Sequence, residues 1–207
     1  MIRYVVLDFD GTIADSKEVF LTVMDQFVEK HHLRKIEREE IDRLIQLPIP
    51  ERLRYLKLPL YKIPLMAPEF YHLYKQNLDK ISLMDGMREL LSGLKNKGYE
   101  LAIISSNSEI NIRQFIKDKQ IEEYFKDIFC SSNIFGKHKM IKSFLKQYKL
   151  DASDIIYVGD EHRDVAACKK CGVKVIWVSW GYDDINLAKK ENPDFIVYQP
   201  EEILNIL

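Results

Sequence analysis

Short apolar segments recur along the chain and predict the strands of a buried sheet. They span residues 4–9, 101–104, 155–158, 173–178 and 195–198, with a further candidate at 128–131. Most are apolar throughout and rich in β-branched side chains, which is typical of parallel strands covered by helices on both faces. Amphipathic helical patterns lie between them, for example at 87–94 and 141–148. The alternation of strand and helix predicts a doubly wound, Rossmann-like α/β core with a parallel sheet.

The long stretch between the first two predicted strands breaks this alternation and contains helical signals instead. Apolar residues at helical spacing form a wide stripe over residues 19–28, and Asp15 can cap this helix. Further helices are predicted around residues 39–47, 51–56 and 68–78, with prolines at the joins. We therefore expect an all-helical domain, residues 16–81, inserted into an α/β core that consists of residues 1–15 and 82–207.

Composition and charge favour a protein that acts on a small soluble ligand. The formal net charge of the 207 residues is −1, with both signs interspersed, so there is no electrostatic case for a nucleic-acid or membrane partner. We find neither a signal peptide nor an apolar run of membrane-spanning length, and the three cysteines are an odd set that suits a reducing compartment. We expect a cytoplasmic protein, and the sequence leaves open whether it is a monomer or a homodimer.

The end of the first predicted strand presents two carboxylates. Asp8 and Asp10 stand in the segment Asp8-Phe9-Asp10-Gly11-Thr12 and, as residues i and i+2 of an extended chain, point to the same side. Gly11 allows a sharp turn that directs backbone N–H groups inward. On its own this pentapeptide is equally well explained as a solvated Asp-Gly turn that closes a hairpin, so its meaning depends on the rest of the chain.

Polar residues also follow later predicted strands. Ser105, Ser106 and Asn107 follow the second strand, and the segment 159–164 follows the strand that ends at residue 158. Lys137 stands after a glycine at the start of a helical pattern. Each alone has a simple structural explanation, such as a helix cap, a solvated charge or a tight turn. Because ligands of open α/β sheets bind beyond the carboxyl ends of the strands, the combination predicts one site at that edge.

Four motifs in this order resemble those of the haloacid dehalogenase superfamily of phosphohydrolases. They are DFDGT at 8–12, ISSN at 104–107, GK at 136–137 and VGDEHRD at 158–164. The resemblance extends over the whole α/β core and is closest to the phosphoglycolate phosphatase type, whose helical cap domain is inserted after the first motif. It implies a Mg²⁺-dependent phosphatase that hydrolyses a small phosphorylated metabolite through an aspartyl-phosphate.

The resemblance assigns the catalytic residues. It makes Asp8 the nucleophile, which forms the aspartyl-phosphate, and Asp10 the general acid/base, which protonates the leaving oxygen and then activates water. It makes Ser105 the phosphate ligand of the second motif and Lys137 the cation of the site. We prefer Lys137 to Lys139 and Lys142 because Gly-Lys is usual at this point of the family.

The resemblance also implies which residues bind phosphate and metal. Phosphoryl oxygens would be held by the side chains of Lys137, Ser105, Ser106 and Asn107 and by the backbone N–H groups of Gly11 and Thr12. Mg²⁺ would be held by the carboxylates of Asp8 and Asp160 and by the backbone carbonyl of Asp10. Asp164 also belongs to the implied metal site, where it would order metal-bound waters or Lys137. Whether Asp164 touches the ion directly stays open.

Other activities of the superfamily match less well. Carbon–halogen dehalogenases lack the second acid that Asp10 provides, and ion-pumping ATPases have a DKTGT motif and membrane spans. A sugar phosphomutase is the nearest alternative, but such enzymes have a histidine in the helix after the first motif, where this chain has Phe20. A phosphonate hydrolase would need a buried cap lysine, which nothing in the sequence marks. A catalytically silent phosphate-binding protein would be expected to lack an acid, and none is missing.

Substrate preference is expected to depend on the inserted helical domain. Arg52, Arg54 and Lys57 form a basic group, and any of them that reaches inward would favour an anionic substrate. A solvated helix face is the simpler interpretation of the three. Tyr55, Tyr71 and Tyr74 could line an apolar pocket or pack the inserted helices together, and packing is the preferred interpretation.

Overall fold

The strands form a parallel sheet in the part of the chain that the computed structural model describes, residues 2–131 and 136–207. They are β1 (Tyr4–Leu7), β2 (Ala14–Asp15), β3 (Ser82–Leu83), β4 (Glu100–Ser105), β5 (Phe125–Cys130), β6 (Ile155–Gly159), β7 (Lys174–Val178) and β8 (Phe195–Val197). Six of them pair in parallel in the order β5-β4-β1-β6-β7-β8, and β2 pairs antiparallel with β3. The chain order reverses on either side of β1, which makes this strand a topological switch point.

Helices cover both faces of the sheet. They are α1 (Lys17–Lys30), α2 (Arg38–Leu44), α3 (Ile49–Tyr55), α4 (Ile63–Lys75), α5 (Met87–Asn96), α6 (Glu109–Asp118), α7 (Lys137–Tyr148), α8 (His162–Cys171), α9 (Ile185–Lys189) and α10 (Glu201–Ile206). Helices α5, α6 and α10 pack on one face, and α7, α8 and α9 pack on the other. Within the described ranges, no helix combines the length and the apolar character needed to cross a membrane.

The central strand β1 shows how this sequence produces a sheet that is buried on both faces. All four of its side chains are buried. Val5 and Leu7 pack in the cluster under α5 and α6, whereas Tyr4 and Val6 pack in the cluster under α7 and α8. Successive side chains of a strand point to opposite faces, so a strand in this position needs an unbroken apolar run.

The predicted α/β fold class is confirmed, and the differences from the prediction lie at the ends of elements. Strand β5 begins at Phe125 and not at residue 128, because an edge strand tolerates the polar residues Lys126 and Asp127. Helix α4 begins at Ile63, whereas the sequence predicted a start at residue 68. Pro64 lies in the first turn of this helix, where a missing N–H costs little, and Pro68 lies in its interior.

The helices α1 to α4 lie between β2 and β3, which pair as a two-residue antiparallel ribbon. The sequence did not predict the ribbon, since two residues are too short for a periodic pattern. Asp15 was expected to cap α1, and this is wrong: Asp15 is exposed in β2, and Ser16 is the residue that precedes the helix. The domain limits 1–15, 82–207 and 16–81 stay predictions. We call residues 16–81 the helical insertion.

Phe144 offers a test of the packing under α7. Its ring meets the rings of Tyr4, Phe129 and Tyr148 at centroid distances of 5.4, 5.3 and 5.0 Å. Phe144→Ala should lower the free energy of unfolding by about 3–5 kcal/mol, because it leaves a cavity in a buried cluster. Urea denaturation measures this. The exposed Tyr198 gives the control: Tyr198→Ala should change the value by no more than about 0.5 kcal/mol. Equal losses in the two variants would contradict the described packing.

Candidate active site

Three neighbouring strands bring polar residues to one edge of the sheet. Asp8 directly follows β1, Ser105 ends β4, and Asp160 directly follows β6. Because β1 lies between β4 and β6, the carboxyl ends of these strands meet. All three side chains are buried. This is the edge at which the sequence predicted a site.

Lys137 joins two carboxylates at this edge. Its Nζ atom donates a hydrogen bond to Oδ2 of Asp8 at 2.6 Å and another to Asp164. Burial alone would lower the pKa of Lys137, but the charges of Asp164 and Asp8 raise it above its ordinary value. The ammonium group is therefore held in its charged form. Lys139 and Lys142, the alternatives for this position, are exposed.

Three buried carboxylates form a cluster that suits a divalent cation. Asp8, Asp160 and Asp164 each offer one carboxylate oxygen, and these oxygens lie within 4.8 Å of one another. Burial raises the pKa of Asp160 well above its ordinary value, and the charges of Glu161 and Asp8 add to this. Burial also raises the pKa of Asp164, to about 7, although Lys137 opposes the rise. An all-oxygen donor set with uncompensated negative charge is the chemistry that Mg²⁺ requires.

Two glycines make room for Asp160. Gly11 has a φ of 73°, and a Cβ atom there would lie 2.4 Å from Oδ2 of Asp160. A Cβ atom on Gly181 would lie 2.1 Å from the Cβ atom of Asp160. The carboxylate also accepts hydrogen bonds from Oγ1 of Thr12 at 2.9 Å and from the backbone N–H of Tyr182 at 2.7 Å. These contacts fix the orientation of Asp160 before any ion binds.

The carboxylate of Asp10 has different surroundings from that of Asp8. It accepts hydrogen bonds from the hydroxyls of Ser16 at 2.7 Å and Tyr74 at 2.5 Å and from Nδ2 of Asn107 at 2.7 Å. Burial raises its pKa, and these three hydrogen bonds oppose the rise without cancelling it. The Asp10 carboxylate is not part of the three-carboxylate cluster found among the described residues. A role in the metal site through its backbone carbonyl stays a prediction.

The backbone N–H groups of Gly11 and Thr12 have partners within the turn. The N–H of Gly11 donates to the carbonyl of Ala14 at 3.0 Å, and that of Thr12 donates to the carbonyl of Phe9 at 3.3 Å. That these N–H groups hold phosphoryl oxygens stays a prediction. Thr12 also reaches the site through its side chain, which donates to Asp160.

The residues after β4 lie beside the two aspartates. Oγ of Ser105 accepts a hydrogen bond from the backbone N–H of Asn107 at 3.1 Å. The side-chain amide of Asn107 in turn donates a hydrogen bond to Asp10. Oγ of Ser106 accepts a hydrogen bond from Arg163 at 3.1 Å, and its carbonyl accepts one from the hydroxyl of Tyr71. All three predicted phosphate-binding residues of this segment therefore lie at the site.

Comparison with known proteins identifies the family. A family profile described as haloacid dehalogenase-like hydrolase matches residues 5–178. The chain belongs to this family. It is 24% identical over 200 residues to a phosphoglycolate phosphatase from Synechococcus elongatus, with 97% of this chain and 94% of that protein covered. It is 22% identical over 208 residues to the pyrophosphatase PpaX of Bacillus velezensis, with 98% and 94% covered.

A solved structure gives the same result for the fold. A haloacid dehalogenase-like family hydrolase from Streptococcus pneumoniae has a TM-score of 0.84 at 21% identity, with 99% of this chain and 98% of that chain covered. The predicted family and the prediction of a hydrolytic enzyme are confirmed, and relatives named phosphatases support the phosphatase class. The roles of single residues, the cytoplasmic location and the partners stay predictions.

Two hydroxyl-bearing residues at this haloacid dehalogenase-like site were missed as site residues. Tyr74, from α4, and Ser16, before α1, both donate to Asp10. The hydroxyl of Tyr182 contacts that of Ser16 at 2.8 Å. A tyrosine on an amphipathic helix and a serine before a helix are common in cores and caps, so no local signal distinguishes these residues.

Arg52 joins the helical insertion to the core. It lies in α3 and donates to Asp183, to the carbonyl of Leu47 at 2.7 Å and to that of Ile45 at 3.0 Å. Asp183 also accepts hydrogen bonds from His162, the first residue of α8. The donors are the backbone N–H and Nδ1 of His162, each 2.7 Å away. Burial raises the pKa of Asp183, but the hydrogen bond from His162 and the charge of Arg52 bring it below its ordinary value.

Arg52→Met tests this connection. The substitution keeps an apolar stem and removes hydrogen bonds to a charged group, each of which contributes about 1.5–3 kcal/mol. Amide protons of α3 should therefore exchange more than about tenfold faster, because local opening becomes easier. Hydrogen–deuterium exchange measures the rates. Arg54→Met, on the same helix but exposed, is the control and should leave them unchanged. Similar exchange in wild type and Arg52→Met would show that Arg52 does not hold the insertion.

Proposed function

We propose that this chain is a Mg²⁺-dependent phosphatase that hydrolyses a phosphomonoester through an aspartyl-phosphate on Asp8. The proposal depends most on Lys137, whose ammonium group lies 2.6 Å from the Asp8 carboxylate beside two further buried carboxylates. A carboxylate attacks a phosphoryl group only where positive charge offsets the repulsion between two anions. Membership of the haloacid dehalogenase-like hydrolases and relatives named phosphatases support the proposal.

In the first step an Asp8 oxygen attacks phosphorus, and the bond from phosphorus to the leaving oxygen breaks. Asp10 donates its proton to that oxygen, which leaves as an alcohol. Lys137 offsets the negative charge on the phosphoryl oxygens and on Asp8 while the new bond forms. Ser105 and Asn107 are placed to orient these oxygens.

In the second step the aspartyl-phosphate is hydrolysed. Asp10, now a carboxylate, takes a proton from a water molecule whose oxygen attacks phosphorus. The bond between phosphorus and the Asp8 oxygen breaks, so phosphate leaves and the Asp8 carboxylate is restored. Ser16, Tyr74 and Asn107 hold Asp10 in one orientation for both proton transfers.

The residues present fit a Mg²⁺ ion. Asp8 and Asp160 would hold it with carboxylate oxygens and Asp10 with its backbone carbonyl, while Asp164 orients Lys137 or metal-bound water. When bound, the ion supplies positive charge that offsets the charge of the substrate phosphate.

A phosphomutase is disfavoured by the residue at position 20. Phe20 packs against Phe70 and Tyr182, with ring centroids 5.4 Å away in both cases. A phenyl ring cannot transfer the proton that the histidine of the sugar phosphomutases would move. Water is therefore the proposed acceptor of the phosphoryl group.

Asp8→Asn tests the covalent mechanism. Asparagine keeps the shape of the side chain but is a much weaker nucleophile, so turnover should fall by more than about a thousandfold. Phosphate release from a panel of phosphorylated metabolites measures this. Asp15→Asn, at an exposed aspartate seven residues on, is the matched control and should keep full activity. Full activity of Asp8→Asn would rule out Asp8 as the nucleophile.

Asp160→Asn tests the metal site. Mg²⁺ should raise the melting temperature of the wild-type protein, since it binds the folded state, and chelation should abolish phosphate release. Removing one ligand charge should raise the Mg²⁺ concentration needed for half of this shift by more than about tenfold. Thermal denaturation with Mg²⁺ alone measures the effect, with Asp15→Asn as the control. An unchanged Mg²⁺ dependence of Asp160→Asn would contradict the assignment.

A further inference from the structure

An apolar cavity lies between the helical insertion and the candidate active site. Its volume is about 310 Å³, at the lower end of the range for small-molecule sites. Asp8, Asp10 and Ser105 line it on the side of the sheet. The other walls come from the inserted helices. The cavity is therefore continuous with the place where the phosphate would react, and a leaving group attached to that phosphate would extend into it.

The walls supplied by the insertion are almost entirely hydrocarbon. They include Met24 and Phe27 of α1, Leu53 of α3, Leu56 after it, and Ile63 and Met66 of α4. Met24, Leu53, Ile63 and Met66 are half-buried and pack against a small cluster that contains Leu56, so they both line the cavity and help to close the insertion around it. An apolar group that entered would gain about 25 cal/mol for each Å² removed from water.

Two of the cations that line the cavity, Arg52 and Arg163, are already paired within the protein. The guanidinium of Arg52 is bound by Asp183 and two carbonyls, and that of Arg163 is bound by Glu161. Lys17, the first residue of α1, also lines the cavity. An anionic leaving group placed among the apolar walls would find both guanidinium groups already paired, and burial of a charge without a counter-charge is strongly unfavourable.

We propose that the substrate is a phosphomonoester of an uncharged, mainly hydrocarbon alcohol whose apolar part occupies this cavity. This inference rests on the proposed phosphatase function. It separates the chain from relatives named for phosphoglycolate and pyrophosphate, whose leaving groups are charged. Binding energy from the apolar part, remote from phosphorus, would be used to raise the rate of phosphoryl transfer.

A series of n-alkyl phosphates tests the proposal. The ratio kcat/KM should rise from ethyl through butyl and hexyl to octyl phosphate, by up to about fourfold for each added methylene, the equivalent of about 0.8 kcal/mol. Octyl phosphate should exceed ethyl phosphate, 2-phosphoglycolate and pyrophosphate by more than about a hundredfold. A flat series, or a preference for either anionic substrate, would overturn the proposal and leave the phosphatase function standing. Failure to release phosphate from any of these compounds and from a metabolite panel would instead refute the phosphatase function.

A pair of leucine substitutions locates the binding site of the alkyl group. Leu53 lines the cavity, whereas Leu65 on α4 is 81% exposed and does not line it. Leu53→Trp should fill part of the cavity and lower kcat/KM for octyl phosphate by more than about tenfold relative to kcat/KM for ethyl phosphate. Leu65→Trp should change neither.

The opposite change guards against a variant that fails to fold. Leu53→Ala enlarges the cavity, so the alkyl chain length that gives the highest kcat/KM should increase. Thermal denaturation, which does not depend on activity, reports whether each variant is folded. An unchanged chain-length profile in both folded Leu53 variants would place the alkyl group elsewhere and overturn the proposal.

Discussion

The buried contact of Lys137 with two carboxylates is the interaction on which the site depends. The ammonium group is shared between Asp8 and Asp164, where the cost of removing charges from water is several kcal/mol for each ion. Burial is the main reason why the pKa values of Asp160 and Asp164 are raised, and the charges of neighbouring carboxylates add to it. The fold therefore gathers three carboxyl groups around one ammonium group at one point of the sheet edge. A structural ion pair needs one carboxylate for each ammonium group, whereas a divalent cation site uses the additional oxygens.

Asp8 and Asp10 are two residues apart in sequence and lie in contrasting surroundings. Asp8 contacts a charged ammonium group, whereas Asp10 is bound by two hydroxyls and an amide. Carboxyl groups whose environments differ in this way can divide the work of nucleophile and proton carrier between them. One of the donors to Asp10 is Tyr74 of the helical insertion. The orientation of the acid therefore depends on how the insertion sits on the core, which Arg52 and Asp183 help to determine.

The sequence predicted the core of the site and missed what surrounds it, for a physical reason. Asp8 and Asp160 follow unbroken apolar strands, and in a parallel sheet the ends of adjacent strands must meet, so local patterns were enough to bring them together. Tyr74 and Ser16 reach the site only through the packing of α1 and α4 on the core, which no local pattern contains. The hydrogen bonds that the N–H groups of Gly11 and Thr12 make within the turn are likewise visible only in three dimensions.

Arg52 shows why an inward-reaching cation is not by itself a sign of an anionic substrate. An inward-reaching cation of the insertion was expected to favour an anionic substrate, and Arg52 does reach inward. Its charge is already matched by Asp183, which in turn holds the start of α8 through His162. An arginine that is bound in this way orders the surface of the cavity without attracting a second anion. In the proposed substrate complex, the leaving group would face mainly the hydrocarbon of α1, α3 and α4, and discrimination between substrates would depend on desolvation more than on charge pairing.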